Sequence, residues 1–208
     1  MSSLPYGAVW WISVRYRTEM ASSKSRLSRS AWVDAAAVAL RTVGPAGVSV
    51  EPLARSLAAT KGSFYWHFSN RDELLLAALE EWESADTAGI IAAIDDSAGS
   101  SIERARRLIT VVLGTGTGRG ELEMLFGADH PEVKAVVGRV TKSRIGYVEK
   151  PLVEGGFSPA IAKRRALLAY SVYLGHAQLR FGAPDVLPKT TASRRALEDE
   201  FTDVLFGS

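Results

Sequence analysis

Apolar residues at helical spacing are the main signal along this chain from Ser30 onward. Ser30 is a candidate N-cap, and Gly44 followed by Pro45 supplies the left-handed residue and the breaker that end a helix. Between these signals, steps of three and four residues give one apolar face with Val33, Ala36, Ala37 and Leu40. The pattern therefore predicts an amphipathic first helix between Ser30 and Gly44.

Two short helices are predicted next, separated by a tight connection. Ser49 is the second N-cap candidate, and Pro52 falls in a first turn, where its missing N–H costs little. The connection is expected at residues 58–59, and Thr60 is expected to cap a third helix over about 61–67. The apolar face of the second helix carries Leu53, Ala54 and Leu57.

The rest of the chain also has helical patterns. Asn70 stands three residues before Glu73, the spacing of a capping box, and opens a fourth helix. The apolar residues of that helix are Leu74, Leu75, Ala78, Leu79 and Trp82. No alternating strand pattern or useful internal repeat is present, so we predict an all-α fold of about nine helices. The further helices are expected from about residue 100, over 122–126, 131–154 and 158–181, and over 193–206, with a glycine-rich loop at 114–120.

Charge is unevenly distributed, although the formal net charge is only +2. Residues 1–70 hold eight Lys or Arg against three Asp or Glu, whereas the remainder holds 17 against 20. A basic first third is typical of a nucleic-acid-binding head, although a basic solvated arm would give the same imbalance.

Composition excludes several classes of chemistry. The chain has no cysteine, so disulfides, thiolate zinc sites and cysteine nucleophiles are excluded, and nothing indicates secretion. His67, His130 and His176 are far apart in sequence, which gives no local cluster of metal ligands. No apolar run reaches the roughly 20 residues of a membrane span. We therefore expect no metal, no cofactor, no membrane partner and a cytoplasmic location.

Residues 1–28 are predicted to be a basic, disordered extension. Residues 1–19 show no clear period, whereas Met20 opens a polar, basic lead-in that would make an ordinary bacterial N-terminus. Our hypothesis is that Met20 is the true start, and the alternative is a translated, disordered arm. The intact mass of the native protein distinguishes the two, since a mass that includes residues 1–19 contradicts the hypothesis.

Residues 49–75 carry the most specific motif in the chain. They are two short helices joined by a tight turn, and the second helix is too short to be buried alone. Helix N-termini attract phosphates, and polar or aromatic side chains of these types reach phosphates and base edges. Phe64 and Phe68 are expected on the opposite side, packed against the first and fourth helices. The outward candidates of the second helix are Lys61, Ser63, Tyr65 and His67.

This motif resembles the tetracycline-repressor (TetR) family of bacterial transcription regulators. Residues 60–68, TKGSFYWHF, are similar to that family's recognition helix, and residues 70–75, NRDELL, to the start of its fourth helix. The resemblance covers about residues 29–82, and beyond them only the helix pattern is similar. It implies a helix-turn-helix DNA-binding domain at 29–74 and a ligand-binding and dimerisation domain at 75–208.

The resemblance also implies nine DNA-contacting positions. Ala58 stands where the family usually has glycine and would be strained in a left-handed conformation, and Pro52 stands where a polar residue is commoner. Both departures blur the placement of the third helix. Phosphate contacts are implied for Ser49, Thr60, Tyr65, His67 and Arg71, and major-groove contacts for Lys61, Gly62, Ser63 and Trp66.

Simpler interpretations compete with these roles. Tyr65 could be only a core residue, His67 a favourable cation at the end of its helix, and Lys61 a solvated charge. The glycine-rich segment 114–120 suggests a phosphate-binding loop, but it lacks the preceding strand and the Gly-Lys-Ser/Thr ending. A flexible connection between helices is the expected structure there.

For the C-terminal part, the resemblance implies a homodimer whose last two helices form a four-helix interface. The interface candidates are Ala166, Ala169, Gly175, Leu179, Phe201 and Leu205. The candidates for an apolar ligand pocket are Trp82, Met124, Phe126, Tyr147 and Tyr173. Methionine and aromatic residues at helical spacing are also common in cores. A catalytic role for His176 is weak, because no carboxylate or nucleophile is spaced to orient it.

The sequence thus predicts a transcription regulator that binds a palindromic operator and is released from it by a small, apolar ligand. Its expected partners are double-stranded operator DNA, a second copy of itself and that effector, and no catalytic residue is assigned. One alternative is a DNA-binding protein without an effector. The other is an all-α enzyme, for which the sequence offers no metal cluster, activated nucleophile or cofactor fingerprint.

Overall fold

The structure is a computed structural model of the chain that describes residues 27–115, 118–127 and 130–207, without the side chains of 115, 126 and 127. The described residues are helical and contain no strand, as predicted. The predicted extension 1–28 and both candidate start sites lie almost wholly outside the described residues. The helices are α1 Arg29–Val43, α2 Val50–Ser56, α3 Lys61–Tyr65, α4 Arg71–Glu83, α5 Gly89–Asp95, α6 Ser101–Thr115, α7 Arg119–Gly127, α8 Pro131–Glu154, α9 Pro159–Gly182 and α10 Thr191–Phe206.

Three short segments with other hydrogen-bond patterns connect these helices. A π-helical segment, Ser84–Ala88, joins α4 to α5 without a break, so the described part of the chain has nine separate helices. Such segments occur frequently at functional sites. Two 3-10 turns, Pro45–Gly47 and Pro184–Val186, lie before α2 and α10.

The ends of α1 show one correction and one confirmed prediction. The N-cap is Ser28, whose side chain accepts the backbone N–H of Ala31 at 3.2 Å, and not Ser30. The hydroxyl of Ser30 is instead 2.9 Å from that of Ser28, inside the first turn. At the other end Gly44 has a φ of 93° and its N–H bonds to Leu40, which ends the helix as predicted.

Helices α2, α3 and α4 begin after the predicted residues Ser49, Thr60 and Asn70, but Ser49 makes no side-chain cap hydrogen bond. Thr60 accepts the N–H of Ser63 at 3.2 Å, and Asn70 accepts that of Glu73 at 2.9 Å. Ala58 has a φ of 50°, so the connection does use the left-handed conformation that disfavours alanine. The predicted end of α3 near residue 67 is wrong by two residues, since regular helix ends at Tyr65.

The glycine-rich segment is shorter and more closely packed than the predicted loop at 114–120. Helix α6 continues through residue 115, and α7 already begins at Arg119. Gly120 lies so close to the C-terminal end of α1 that a Cβ atom would be 2.1 Å from the carbonyl oxygen of Leu40. Gly118 approaches the carbonyl oxygen of Arg41 in the same way. These glycines allow two helix backbones to touch, which a sequence pattern does not reveal.

Two apolar clusters form the core. The larger cluster runs from α1 and α3 through α4 to Met124 and the start of α8. The smaller cluster packs α6, α8, α9 and α10 around Leu152 and Ala166. The predicted domain boundary between residues 74 and 75 therefore falls inside α4, whose buried side chains belong to the larger cluster. We call residues 29–74 the head and residues 75–207 the body.

No helix in the ranges described here is long and apolar enough to cross a membrane. Nor do those ranges contain a group of three or more His, Asp or Glu residues that could hold a metal ion.

Candidate nucleic-acid interface

Aromatic packing fixes one side of α3 to the head. Phe64 has 0% of its surface exposed and meets the Trp32 ring edge-on, with 5.4 Å between the ring centroids. It also stacks on Phe68 at 5.5 Å. Phe68 is buried, so its expected core role is confirmed. A helix of five residues is too short to be stable alone, so this packing holds α3 in place.

The other side of α3 is exposed to solvent. Tyr65 is 63% exposed and Trp66 is 80% exposed, so neither is a core residue. Lys61 and Gly62 are also exposed, and Ser63 is half-buried. An aromatic pair this open, beside a cation at the start of the same helix, is a surface suited to contact with another molecule.

Lys61 is not simply a solvated charge, because its ammonium donates a hydrogen bond to the carboxylate of Glu51 on α2. This hydrogen bond and the charge of Lys61 hold the pKa of Glu51 below its ordinary value. The sequence reasoning missed Glu51. The two residues are ten positions apart on different helices, so only the packing of α2 against α3 reveals the pair.

Two of the predicted phosphate-binding residues also hold the head together. The imidazole Nε2 of His67 lies 2.7 Å from the carbonyl oxygen of Leu27, just before α1. The guanidinium of Arg71 donates to the carbonyl oxygen of Val48 at 2.9 Å and to that of Pro45. Both side chains are half-buried. Thr60 is exposed and Ser49 half-buried, at the N-terminal ends of α3 and α2.

A buried ion pair occupies the region where the ligand pocket is predicted. Glu121 on α7 is 7% exposed and accepts a hydrogen bond from the Arg144 guanidinium of α8 at 2.6 Å. Arg144 also lies over the Trp82 ring, 5.5 Å from its centroid. The hydroxyl of Tyr173 is 3.4 Å from the same carboxylate oxygen. Met124, one helical turn after Glu121, is buried. The structure thus brings Trp82 and Tyr173 to this ion pair and places Met124 nearby in sequence on the same helix as Glu121.

The same ion pair is connected to the head. Arg144 donates to the hydroxyl of Thr87 at 3.1 Å and to the backbone carbonyl of Asp86 at 3.3 Å, both in the π-helical segment. The Asp86 carboxylate in turn accepts two hydrogen bonds, at 2.7 and 3.0 Å, from Arg41 in the last turn of α1. Burial alone would lower the pKa of Arg144, but the charge of Glu121 raises it above its ordinary value. We call Arg41, Asp86, Thr87, Glu121, Arg144 and Tyr173 the polar network.

Tyr147, another pocket candidate, does not join the polar network. The hydroxyl of Tyr147 donates to the Asp95 carboxylate at 2.8 Å, and burial together with that carboxylate raises the tyrosine pKa. Tyr147 lines a cleft of about 20 Å³ between α5, α6 and α8, which is room for about one water molecule. The side chain of Phe126 lies outside the described residues.

The predicted dimer residues occupy three different environments. Ala166, Ala169 and Leu205 are buried inside the chain, in the smaller cluster. Leu179 and Phe201 are half-buried, and Gly175 is exposed with open space around it. Neighbouring apolar side chains on the same two helices are exposed, among them Leu167, Leu168 and Val172 on α9 and Val204 on α10.

A comparison of sequences identifies the head. Residues 33–78 match the family described as bacterial regulatory proteins of the tetR family. Among curated protein sequences, none matches the chain. The matched residues include most of α1, all of α2 and α3, and the first half of α4.

Solved structures share the whole fold. The TetR transcriptional regulator from Legionella pneumophila has a TM-score of 0.67 at 13% identity, covering 88% of this chain and 99% of that one. AibR in complex with isovaleryl coenzyme A and operator DNA has a TM-score of 0.60 at 19% identity, covering 86% and 97%. FadR from Bacillus subtilis in complex with stearoyl-CoA has 0.60 at 13%, covering 86% and 98%. At these identities the likeness establishes the fold of both head and body.

Proposed function

Because the chain belongs to the tetR family of bacterial regulatory proteins, we propose that it is a DNA-binding transcription regulator, a repressor that a small molecule releases from its operator. The observation that carries this proposal is the two-sided α3. Phe64 fixes one side in the aromatic core, while Lys61, Tyr65 and Trp66 are presented on the other. A short, rigid helix with cationic and aromatic side chains outward fits the major groove. We expect it to act in the cytoplasm, where its DNA would be.

In this function the outward side chains divide into two groups. Phosphate contacts set affinity and register but carry little sequence information, whereas contacts to base edges select the sequence. His67 and Arg71 would each have two roles. Each makes a hydrogen bond to a backbone carbonyl within the head, which stabilises it, and each would also contact a phosphate. We assign base edges to Lys61, Gly62, Ser63 and Trp66, and phosphates to Ser49, Thr60, Tyr65, His67 and Arg71.

We propose that the protein acts as a homodimer through α9 and α10. Exposed apolar side chains on the two helices would be covered by the same surface of a second copy, around Gly175, where nothing blocks a close approach. A two-fold axis would place two α3 helices in successive major grooves, about 34 Å apart. The operator is therefore expected to be a near-palindrome.

We place ligand binding at the ion pair between Glu121 and Arg144. The fully buried indole N–H of Trp82 has no hydrogen-bond acceptor among the described residues, so it could serve a polar atom of a ligand whose apolar part packs on Met124. AibR and FadR were solved with acyl-coenzyme A molecules, which combine apolar and polar parts. A ligand here would compete for contacts that Arg144 makes with the segment carrying Asp86.

The coupling between ligand and DNA would then follow the polar network. Asp86 bonds Arg144 through its backbone and Arg41 through its carboxylate, so a shift of the π-helical segment moves the end of α1. Ligand and operator would favour different positions of the head and so weaken each other's binding by the same factor.

A DNA-binding protein without an effector is the second candidate. The cleft of about 20 Å³ beside Tyr147 favours it, because that space holds no molecule larger than water. Titration of the protein–operator complex with an acyl-coenzyme A distinguishes the two candidates. Release of the operator supports the first, and unchanged affinity across a panel of apolar and acyl ligands supports the second.

Selection of bound fragments from random-sequence DNA tests the proposed function. Wild type is expected to enrich a palindromic site, and Lys61→Ala and Tyr65→Ala are expected to lose that enrichment. The matched control is Val38→Ala, which also removes an exposed side chain of the head but lies on α1. If a folded wild type enriches nothing at low salt, the proposal is contradicted.

A further inference from the structure

The surface proposed to face DNA contains a negative charge among its cations. Glu51 lies in the first turn of α2, and Arg55 lies one turn farther along the same helix. The side chains of Glu51 and Lys61 are 64% and 59% exposed, and the ammonium of Lys61 donates to the carboxylate. With Ala54 and Ala59 these three charged residues line an open cleft of about 270 Å³ between α2 and α3.

For a surface that binds DNA only through its charge, this carboxylate would be a disadvantage. Lys61 lowers the pKa of Glu51, so the carboxylate is ionised at neutral pH. An ionised carboxylate has acceptor atoms only, and it repels the phosphates that Lys61 and Arg55 attract. It becomes an advantage where the major groove offers a hydrogen-bond donor at the right place.

We propose that Glu51 and Lys61 together read one C·G base pair in each half-site, an inference that rests on the proposed function. The N4 amino group of cytosine is the donor that a carboxylate accepts from, and O6 and N7 of guanine accept from a lysine. An exposed ion pair stabilises the free protein little, so the two base edges can replace it. An A·T pair also offers one amino donor, N6 of adenine, but it lacks the two adjacent acceptors O6 and N7 of guanine. Only a C·G pair therefore satisfies both side chains, and binding to other base pairs weakens.

The pair would therefore lower the affinity for non-cognate DNA as well as define one position of the site. In the free protein the Glu51 carboxylate pairs with the ammonium of Lys61. The ammonium becomes available to DNA where the amino group of a cytosine donates to the carboxylate in its place. Specificity would arise partly from a repulsive element, as in other selective interfaces.

Selection from random-sequence DNA with Glu51→Gln tests this inference. Wild type is expected to show C·G at one position of each half-site. Glutamine pairs with N6 and N7 of adenine, so the variant should shift that position towards A·T and leave the others unchanged. The matched control Glu80→Gln makes the same chemical change on an exposed residue of α4 and should leave the selected site as in wild type.

A second measurement uses a duplex of alternating A and T, which offers no cytosine. Glu51→Gln should bind it roughly three- to tenfold more tightly than wild type at low salt, because one repulsive charge is gone, whereas Glu80→Gln should not. Both variants are exposed substitutions, and matching melting temperatures would verify that they fold.

The two proposals fail in different ways. If wild type enriches a palindromic site and Glu51→Gln enriches the same one with unchanged affinity for the A·T duplex, only the role of Glu51 is wrong. If wild type enriches no site, the proposed function is wrong and this inference with it.

Discussion

The side chains that pack around α3 in the head differ in kind from those around Arg144 in the body, although one apolar cluster extends through both regions. In the head, Trp32, Phe64 and Phe68 pack ring against ring, and no charged side chain of the described head is buried. In the body, a buried carboxylate on Glu121 and the guanidinium of Arg144 share a site with two aromatic rings. Close aromatic packing tolerates few alternatives, whereas a hydrogen bond of the polar network can be replaced by a bond to a polar group of a ligand.

This contrast agrees with the proposed functions of the two regions, DNA binding by the head and ligand binding by the body. A helix that reads DNA must be presented in one fixed orientation, which the aromatic core of the head provides. A site that responds to a ligand needs contacts that can be replaced, and the polar network provides those. The connection between the two is short, since Asp86 bonds both Arg41 and Arg144. Substitutions on each side of this connection test whether the two regions differ in this way.

The largest effect is expected from Phe64→Ala in the head. Removing a fully buried ring from an aromatic core should lower the free energy of unfolding by about 3–5 kcal/mol and abolish DNA binding. Urea denaturation measures the change, with Val38→Ala as an exposed control that should cost little. A loss below about 1 kcal/mol would contradict the account of how α3 is held.

Breaking the ion pair between Glu121 and Arg144 should lower the free energy of unfolding nearly as much, and a second substitution should restore most of it. Glu121→Leu leaves the Arg144 charge buried without its partner, and we expect a loss of about 3 kcal/mol in the free energy of unfolding. Adding Arg144→Met should recover most of that loss, because no unpaired charge remains. A double variant as unstable as the sum of the single variants would show that the pair does not act as a unit.

The contact between α7 and α1 gives an intermediate effect. In Gly120→Ala the added Cβ meets the carbonyl oxygen of Leu40, which cannot move independently of α1, so we expect a loss of about 1–3 kcal/mol. Gly146→Ala is the matched control, because its Cβ would meet nothing within 4 Å in the helix α8. That control should be neutral or slightly stabilising. Equal melting temperatures of the two variants would contradict the proposed close contact.

The smallest effect is expected at the turn of the head. Ala58→Gly removes the cost of alanine at a φ of 50°, about 1 kcal/mol, but also increases the entropy of the unfolded chain. The net result should be a stabilisation of about 0.5 kcal/mol, visible as a small rise in melting temperature. Ala59→Gly, at a neighbouring position with an ordinary φ, should lower the melting temperature instead. A fall in both variants would disprove the strain at residue 58.

The sequence predicted local features of both regions well. Thr60 and Asn70 cap their helices, and α8 runs over residues 131–154, as expected. These features depend on residues close together in the chain, whose preferences act locally. Ser28, and not the predicted Ser30, is the N-cap of α1. The sequence did not distinguish the two serines, because both carry a hydroxyl that can accept a backbone N–H.

Contacts between distant residues could not be predicted in this way. The pairs of Glu51 with Lys61 and of Glu121 with Arg144 join different helices, and only tertiary packing selects these partners among many charges. The sequence predicted a flexible loop at the glycine-rich segment. The close approach of Gly120 to α1 could not be predicted, because it depends on how α1 and α7 pack. The interface and pocket residues stay predictions. Exposed apolar side chains on α9 and α10 favour an interface there, although Ala166, Ala169 and Leu205 are buried within the chain. Of the pocket candidates, Trp82 and Tyr173 lie at Arg144.

In the proposed complex, two copies of α3 read two half-sites of one operator. Hydroxyl-radical footprinting of wild type on its selected DNA tests this arrangement. We predict two protected segments related by a two-fold axis, with centres about one helical turn or a multiple of it apart, and loss of both with Tyr65→Ala. A single protected segment, or a pattern that Tyr65→Ala leaves intact, would contradict the account.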